Sequence, residues 1–199
     1  MADRTLDGLR ACVSSLRTIV APAVELSGDK LAREQTRLIA KYLDFLIERL
    51  DHAEDRSRYE LDRYVEIAEA VATLLASRDL RDDELDGALA SGRQVLGRTA
   101  AAKPALESAT ARIQSALSRI VRAMGEQSHP LRAGIEKAVM EGSRAVVSLQ
   151  RAWFAPQGWE PKGSAPDIDI LLGSNAGYGH EPSRPVMRQG GAVGPEREG

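Results

Sequence analysis

PALESATARIQSALSRIVRAM, residues 104–124, places Leu106, Ala109, Ile113, Leu117, Ile120 and Met124 at alternating three- and four-residue steps. That spacing lays all six along one side of an α-helix and fits no strand. Pro104 suits a first helical position, and Gly125 supplies a stop. The stripe is aliphatic. Aromatic residues make up only 4% of the chain, so a core has to be built from Leu, Ile, Val and Ala. Such residues favour helices packed side by side.

The same period continues outward in both directions. Beyond Pro130, Leu131, Ile135, Val139, Gly142, Val146, Leu149 and Trp153 form the apolar face of another helix. Gly142 within that face costs about 1 kcal/mol of helix propensity, which predicts a close helix crossing there. Toward the N-terminus, Leu85, Leu89 and Leu96 mark a helix over about 82–96 with an acidic first turn. Leu61, Tyr64, Val65, Ala68, Ala72 and Leu75 mark one over about 58–76, after a polar connection at 52–57. A helix over about 30–51 carries Leu31, Leu38, Ile39, Tyr42, Leu43, Phe45, Leu46, Ile47 and Leu50. So wide a stripe predicts a central helix with several neighbours. Leu6, Leu9, Val13, Leu16 and Val20 mark the first helix; Pro22 should end or kink it, and Ser27-Gly28-Asp29 is a turn. No segment alternates as a strand would. The fold class is therefore all-α, a bundle of five or six helices over residues 1–155.

Past Phe154 the composition changes. Pro156, Gly158, Pro161, Gly163 and Pro166 break any helix, yet Ile168, Ile170, Leu171 and Leu172 form an apolar island. Residues 156–172 read as a Pro-rich docking arm, expected to seat in an apolar groove on a partner or a second subunit sooner than on its own bundle. Residues 173–199, rich in Gly, Pro, Ser and Arg, read as a disordered tail.

The N-terminus lacks the apolar run of a secretory signal, and no stretch reaches the roughly 20 apolar residues of a membrane span. Cys12 is the only cysteine and reads as a buried, inert thiol near the first apolar stripe. These features predict a cytoplasmic protein without disulfides. The net charge of −2 argues against a nucleic-acid partner. Charge is uneven, however: residues 41–90 hold 14 acidic and 7 basic side chains, a net of −7, and residues 91–125 hold 6 basic and 1 acidic, a net of +5.

Four groups could carry chemistry. Asp82, Asp83 and Asp86 match the Asp-Asp-x-x-Asp spacing that holds magnesium against a diphosphate. That chemistry needs a second acidic motif and an aromatic cavity, which the chain does not offer, so an acidic helix start is the competing reading. Glu126 and His129 have the spacing of a di-iron motif, once rather than the required twice. Glu48 and His52 are four apart and could share a ligand, although His52 equally suits a helix C-terminus. Arg112, Arg119 and Arg122 share one helical face; arginine forks suit phosphate, though a solvated face explains them too. Neither a phosphate-cradling glycine loop nor a nucleophile–His–acid arrangement is present, and no cofactor is implied. Trp153, Phe154 and Trp159 cluster within seven positions. They either close one end of the core or, with Ile168, Ile170, Leu171 and Leu172, anchor a partner.

Leu6, Leu9 and Arg10, then Val20 and Pro22, then Leu31 and Arg33 leading to Leu43 and Glu48-Arg49-Leu50, and later Leu85 to Gly92-Arg93, form a pattern over about residues 5–95. It resembles a family of small helical accessory proteins encoded beside aminoglycoside-phosphotransferase-like kinases in bacterial hydroxyacyl-CoA catabolism. The resemblance implies a non-catalytic partner of such a kinase, and it brings no catalytic residue. The pattern stops after residue 100, so the helices over 104–154 and the arm would be additions. The leading expectation is thus a helical accessory protein that binds another protein or a second copy of itself. The alternatives are a magnesium enzyme built on Asp82, Asp83 and Asp86, or an anion- or nucleic-acid-binding bundle built on Arg112, Arg119 and Arg122.

Overall fold

A computed structural model describes residues 4–126 and 130–173. The expected tail beyond Gly173 lies outside the described residues, as do His129 of the di-iron spacing and His180. Among the described residues every element is helical: α1 (Arg4–Ser15), a π-helical turn (Leu16–Val20), α2 (Ala21–Ser27), α3 (Lys30–Leu50), α4 (Ala53–Ala76), α5 (Asp83–Leu96), α6 (Lys103–Glu126), α7 (Arg132–Phe154), a 3-10 turn (Ala155–Gln157) and α8 (Ile168–Leu172). The all-α class is as expected. None of the described helices is long and apolar enough to cross a membrane.

Helices α4–α7 form a four-helix bundle with α4 at its centre, packed on α5, α6 and α7. Leu61, Leu85, Leu106, Ile113 and Ile135 are fully buried in it, on the stripes the periodicity predicts. The expected close crossing at Gly142 is present. A Cβ built there would lie 2.2 Å from Ile67 Cγ1, so only a glycine lets α7 approach α4 this closely. Gly92 of α5 is a milder close approach, where a Cβ would meet Ile113 and Val65 side-chain carbons at 3.0 Å.

Several boundaries differ from the sequence reading. The first helix does not end at Pro22. Its register slips through one π turn, where Ala21 N–H donates to Leu16 O, and this lets the chain pass the proline ring without a break. The stop comes at Gly28, whose φ of 70° closes α2. Asp29 then caps α3 by accepting from Leu31 N–H at 2.9 Å and Ala32 N–H at 3.1 Å. The polar stretch 52–57 is not a loop, because α4 begins at Ala53 with Glu54 and Asp55 in its first turn. Cys12 is exposed rather than buried. Its neighbour Val13 is instead the buried residue of α1, the helix that packs against α3.

The largest correction concerns α3, which is not central. With α1 and α2 it forms an N-terminal hairpin. One side of α3 packs on α1 and the π turn, with Ala40 buried. The other side carries Leu31, Leu38, Ile39 and Tyr42 into solvent. Its wide apolar coverage therefore serves two opposite faces, and among the described residues only the one turned to α1 and the π turn is covered along the length of the helix.

Replacing Gly142 with Ala should destabilise the protein by about 1–3 kcal/mol through overpacking against Ile67, despite alanine's better helix propensity. In an Ile67→Ala background the same change should cost less or stabilise. Urea denaturation of the four chains of this cycle checks it.

Candidate protein-interaction surface

The hairpin joins the bundle where α3 and α7 both end. Phe45 of α3 packs with Ala152 and Trp153 of α7 and with Ile168 of α8, forming a second core separate from that of the bundle. Arg49, buried one turn after Phe45, donates from Nε to Trp153 O at 2.8 Å and from Nη2 to Ala152 O at 3.3 Å. Burial pulls its guanidinium below the usual arginine value, and the nearby charges of Glu48, Asp169 and Asp167 oppose that pull. The α7 carbonyls have no intrahelical partners, and the negative helix end favours a cation. On the far side, the Arg56 guanidinium lies 4.3 Å from the Trp153 ring centroid.

The arm packs on its own bundle, the less favoured of the two placements read from the sequence. Ile168 is buried, and Leu171 and Leu172 are half-buried against the Phe45–Trp153 core. Asp167 caps α8 through Asp169 N–H at 2.8 Å. Lys41 donates to Gln157 O at 2.7 Å, Arg151 pairs with Glu160 at 2.8 Å, and His52 Nε2 lies 3.6 Å from Asp169. The physical reason is proximity. Three prolines carry the chain only a short way from Phe154, where the apolar ends of α3 and α4 are still open. Trp159 and Ile170 stay out of this core, at 75% and 79% exposure.

A ladder of aromatic rings crosses the junction. Tyr42 and Phe45 centroids are 5.9 Å apart, Phe45 and Phe154 5.9 Å, and Phe154 and Trp159 5.5 Å. The inner rungs are covered, whereas Tyr42 and Trp159 at the ends are exposed. Half of the eight aromatic side chains in the sequence therefore sit in one line. The sequence pointed to Phe154 and Trp159 but missed Tyr42 and Leu38. The available signal was the seven-residue spacing of Leu31, Leu38 and Phe45, a seam pattern distinct from the face turned to α1.

The metal and anion candidates come together with each other. Asp82 is the N-cap of α5, accepting from Leu85 N–H at 2.8 Å. The Arg119 Nη2 contacts both Asp82 carboxylate oxygens at 2.6 and 2.8 Å, and its Nε reaches Glu84 at 2.9 Å. The hydrogen bond from Arg119 holds the Asp82 carboxyl below its ordinary value. Asp83 and Asp86 face solvent. Among the described residues no three His, Cys, Asp or Glu side chains are grouped to hold a metal. Arg112 contacts Ser91 at 3.4 Å, while Arg122 and Arg119 both line a shallow hollow of about 540 Å³ with Ser115, Ser118 and Ala123, and Arg112 does not reach it. With Arg119 engaged by Asp82 and Glu84, the three arginines do not converge on one point. Glu48 is exposed on α3, and the neighbour that His52 has in the fold is Asp169.

The fold and junction thus define a four-helix bundle with an appended helical hairpin. No protein-family model, no curated protein and no solved structure matches the chain.

Asp82→Asn keeps a capping oxygen and loses the charge pair with Arg119, so it should cost up to about 1 kcal/mol near neutrality. Asp82→Ala also loses the cap and should cost about 1 kcal/mol more. The folded-state pKa is depressed, so the ion-pair contribution is present above the unfolded-state value and is lost as pH falls through the folded one. The stability gap between the wild type and Asp82→Asn should therefore close in acid. Denaturation at neutral and acidic pH, with and without magnesium, checks this; magnesium should leave the midpoint unchanged.

Proposed function

We propose that this chain is a non-catalytic helical accessory protein that works by binding another protein. The observation that carries the reading is the aromatic ladder, and above all Trp159 at its outer end. A tryptophan that is braced by Phe154 from behind and open to solvent in front is a low-entropy anchor of the kind that dominates binding energy. A hollow of about 200 Å³ beside it, lined by Gln150, Arg151, Phe154, Ala155 and Glu160, adds polar rim groups around an apolar centre. The resemblance over residues 5–95 supplies the class of partner, an aminoglycoside-phosphotransferase-like kinase acting on hydroxyacyl-CoA. Action in a reducing compartment, the cytoplasm, belongs to the same proposal and suits the exposed free thiol of Cys12. The pairing of Asp82 with Arg119 supports this reading over a magnesium enzyme or an anion-binding bundle, because it gives both groups a structural task.

The chain should co-elute on size exclusion with a kinase of that class from its own genome. Trp159→Ala should weaken the complex by about tenfold or more and leave the melting temperature nearly unchanged, because the ring is mostly exposed. No complex with the wild type, or a Trp159→Ala complex of undiminished affinity, would contradict the proposal.

A further inference from the structure

The uncovered face of α3 has its own pattern. Leu31, Leu38 and Phe45 recur every seven residues, and Gln35, Tyr42 and Arg49 recur every seven, four residues on from the first set. These are the two core positions of a helix–helix seam. Its lower end, Phe45 and Arg49, is occupied by α7 and the arm. The upper end is not: Leu31 is 69% exposed, Leu38 46%, Ile39 49% and Tyr42 55%.

We propose that a second copy of this chain covers that face, α3 against α3 in antiparallel orientation about a two-fold axis. The flanks of the seam select the partner. On one flank lie Glu34 and Lys41, and on the other Ala32 and Ile39. In the antiparallel register that sets Leu31 opposite Tyr42 of the second copy, Gln35 falls opposite Leu38. The same register sets Glu34 opposite Lys41 of the second copy and Ala32 opposite Ile39. The Leu31–Tyr42 and Ala32–Ile39 layers then pair apolar with apolar and Glu34–Lys41 pairs charge with countercharge, the Gln35–Leu38 layer being the one mixed layer, and the two-fold axis repeats each pair. A parallel pairing would instead face Glu34 with Ile39 and Lys41 with Leu46, and would crowd two bundles at one end. The antiparallel register places the bundles at opposite ends, with the Gly28 turn of one copy level with Phe45 of the other. Both charges are available. Lys41 uses one of its three donors on Gln157 O, and the Glu34 carboxylate that Arg37 holds at 2.7 Å has further acceptor sites.

The area fits a reversible dimer. At their exposures the four apolar side chains leave roughly 400 Å² per copy, taking about 150–250 Å² for a large side chain. The stems of Glu34, Arg37 and Lys41 and the rest of the seam carry the total toward the about 800 Å² per partner of a stable interface. The polar Gln35 in a core position fixes the register at some expense in affinity.

The inference rests on the reading of this chain as an interaction protein but uses different residues from the Trp159 anchor. The test is sedimentation velocity of the full chain over a concentration series through the micromolar range, with circular dichroism to confirm helicity. The wild type should dimerise with concentration, and Leu38→Glu should be monomeric. Glu34→Lys and Lys41→Glu should each weaken dimerisation by about tenfold, because the axis repeats each change. The double variant Glu34→Lys/Lys41→Glu should recover the wild-type constant within a few-fold, and Trp159→Ala should dimerise as the wild type does. The proposal is overturned by a monomer at all concentrations, by a dimer that Leu38→Glu leaves intact, or by a double variant no better than the singles. A monomer that still binds the kinase through Trp159 sinks the dimer alone. A dimer with the expected charge-swap pattern that binds no kinase upholds it and sinks the kinase reading alone.

Discussion

Arg49 carries its charge into the junction of three segments, where its hydrogen bonds among the described residues go to the terminal carbonyls of α7 and to no carboxylate. A buried guanidinium is tolerable when the groups around it are acceptors that would themselves be orphaned without it. Each charge-assisted bond of this kind contributes about 1.5–3 kcal/mol, and leaving its acceptor buried and unpaired costs a similar amount. The contact therefore fixes where α3 ends relative to α7. Phe45 then meets Trp153, Phe154 stacks on Phe45, and Ile168 of the arm can cover the pair. The same device closes α5, where Arg58 donates to Leu96 O at 2.9 Å and to Arg98 O at 2.8 Å. In both places a long cation from another helix satisfies a helix C-terminus.

This economy has a consequence for the surface. Two helical strands cannot bury both faces of a helix as apolar as α3, and the bundle reaches only its last turns. A compact six-helix packing would have covered Leu31, Leu38 and Tyr42. The attachment through Arg49 holds the hairpin so that they stay open. The aromatic ladder runs through the same joint, so the exposed Tyr42 and Trp159 are positioned by one rigid set of contacts. An interaction protein needs such anchors to be held in place before the partner arrives, since ordering them on binding would subtract from affinity.

Much of the bundle was legible because its signals are local. The stripes of α4–α7 follow from a 3.6-residue period, the acidic start of α5 from the helix dipole, and the close crossing at Gly142 from a glycine where an aliphatic residue should stand. The errors fall where the deciding partner is distant in sequence. Arg49 is 103 and 104 residues from the carbonyls it satisfies, and nothing near it marks it as buried. The breadth of the α3 stripe says that two faces are apolar, but not which one the chain itself covers. Arg119 and Asp82 read separately as an anion face and a metal cluster, and only the packing of α5 on α6 shows that each answers the other. The arm was recognised as apolar and semi-rigid, yet whether it docked in cis depended on the open end of a core that periodicity does not locate.

Hydrogen–deuterium exchange, read by segment in the wild type and in Arg49→Leu, tests the role of this joint most directly. Exchange should quicken together in α3, the end of α7 and the arm once Arg49 is replaced, while the central amides of α4, α5 and α6 keep their wild-type protection. Uniform loss of protection across the whole chain would contradict it, and so would a variant whose hairpin and arm exchange as slowly as before.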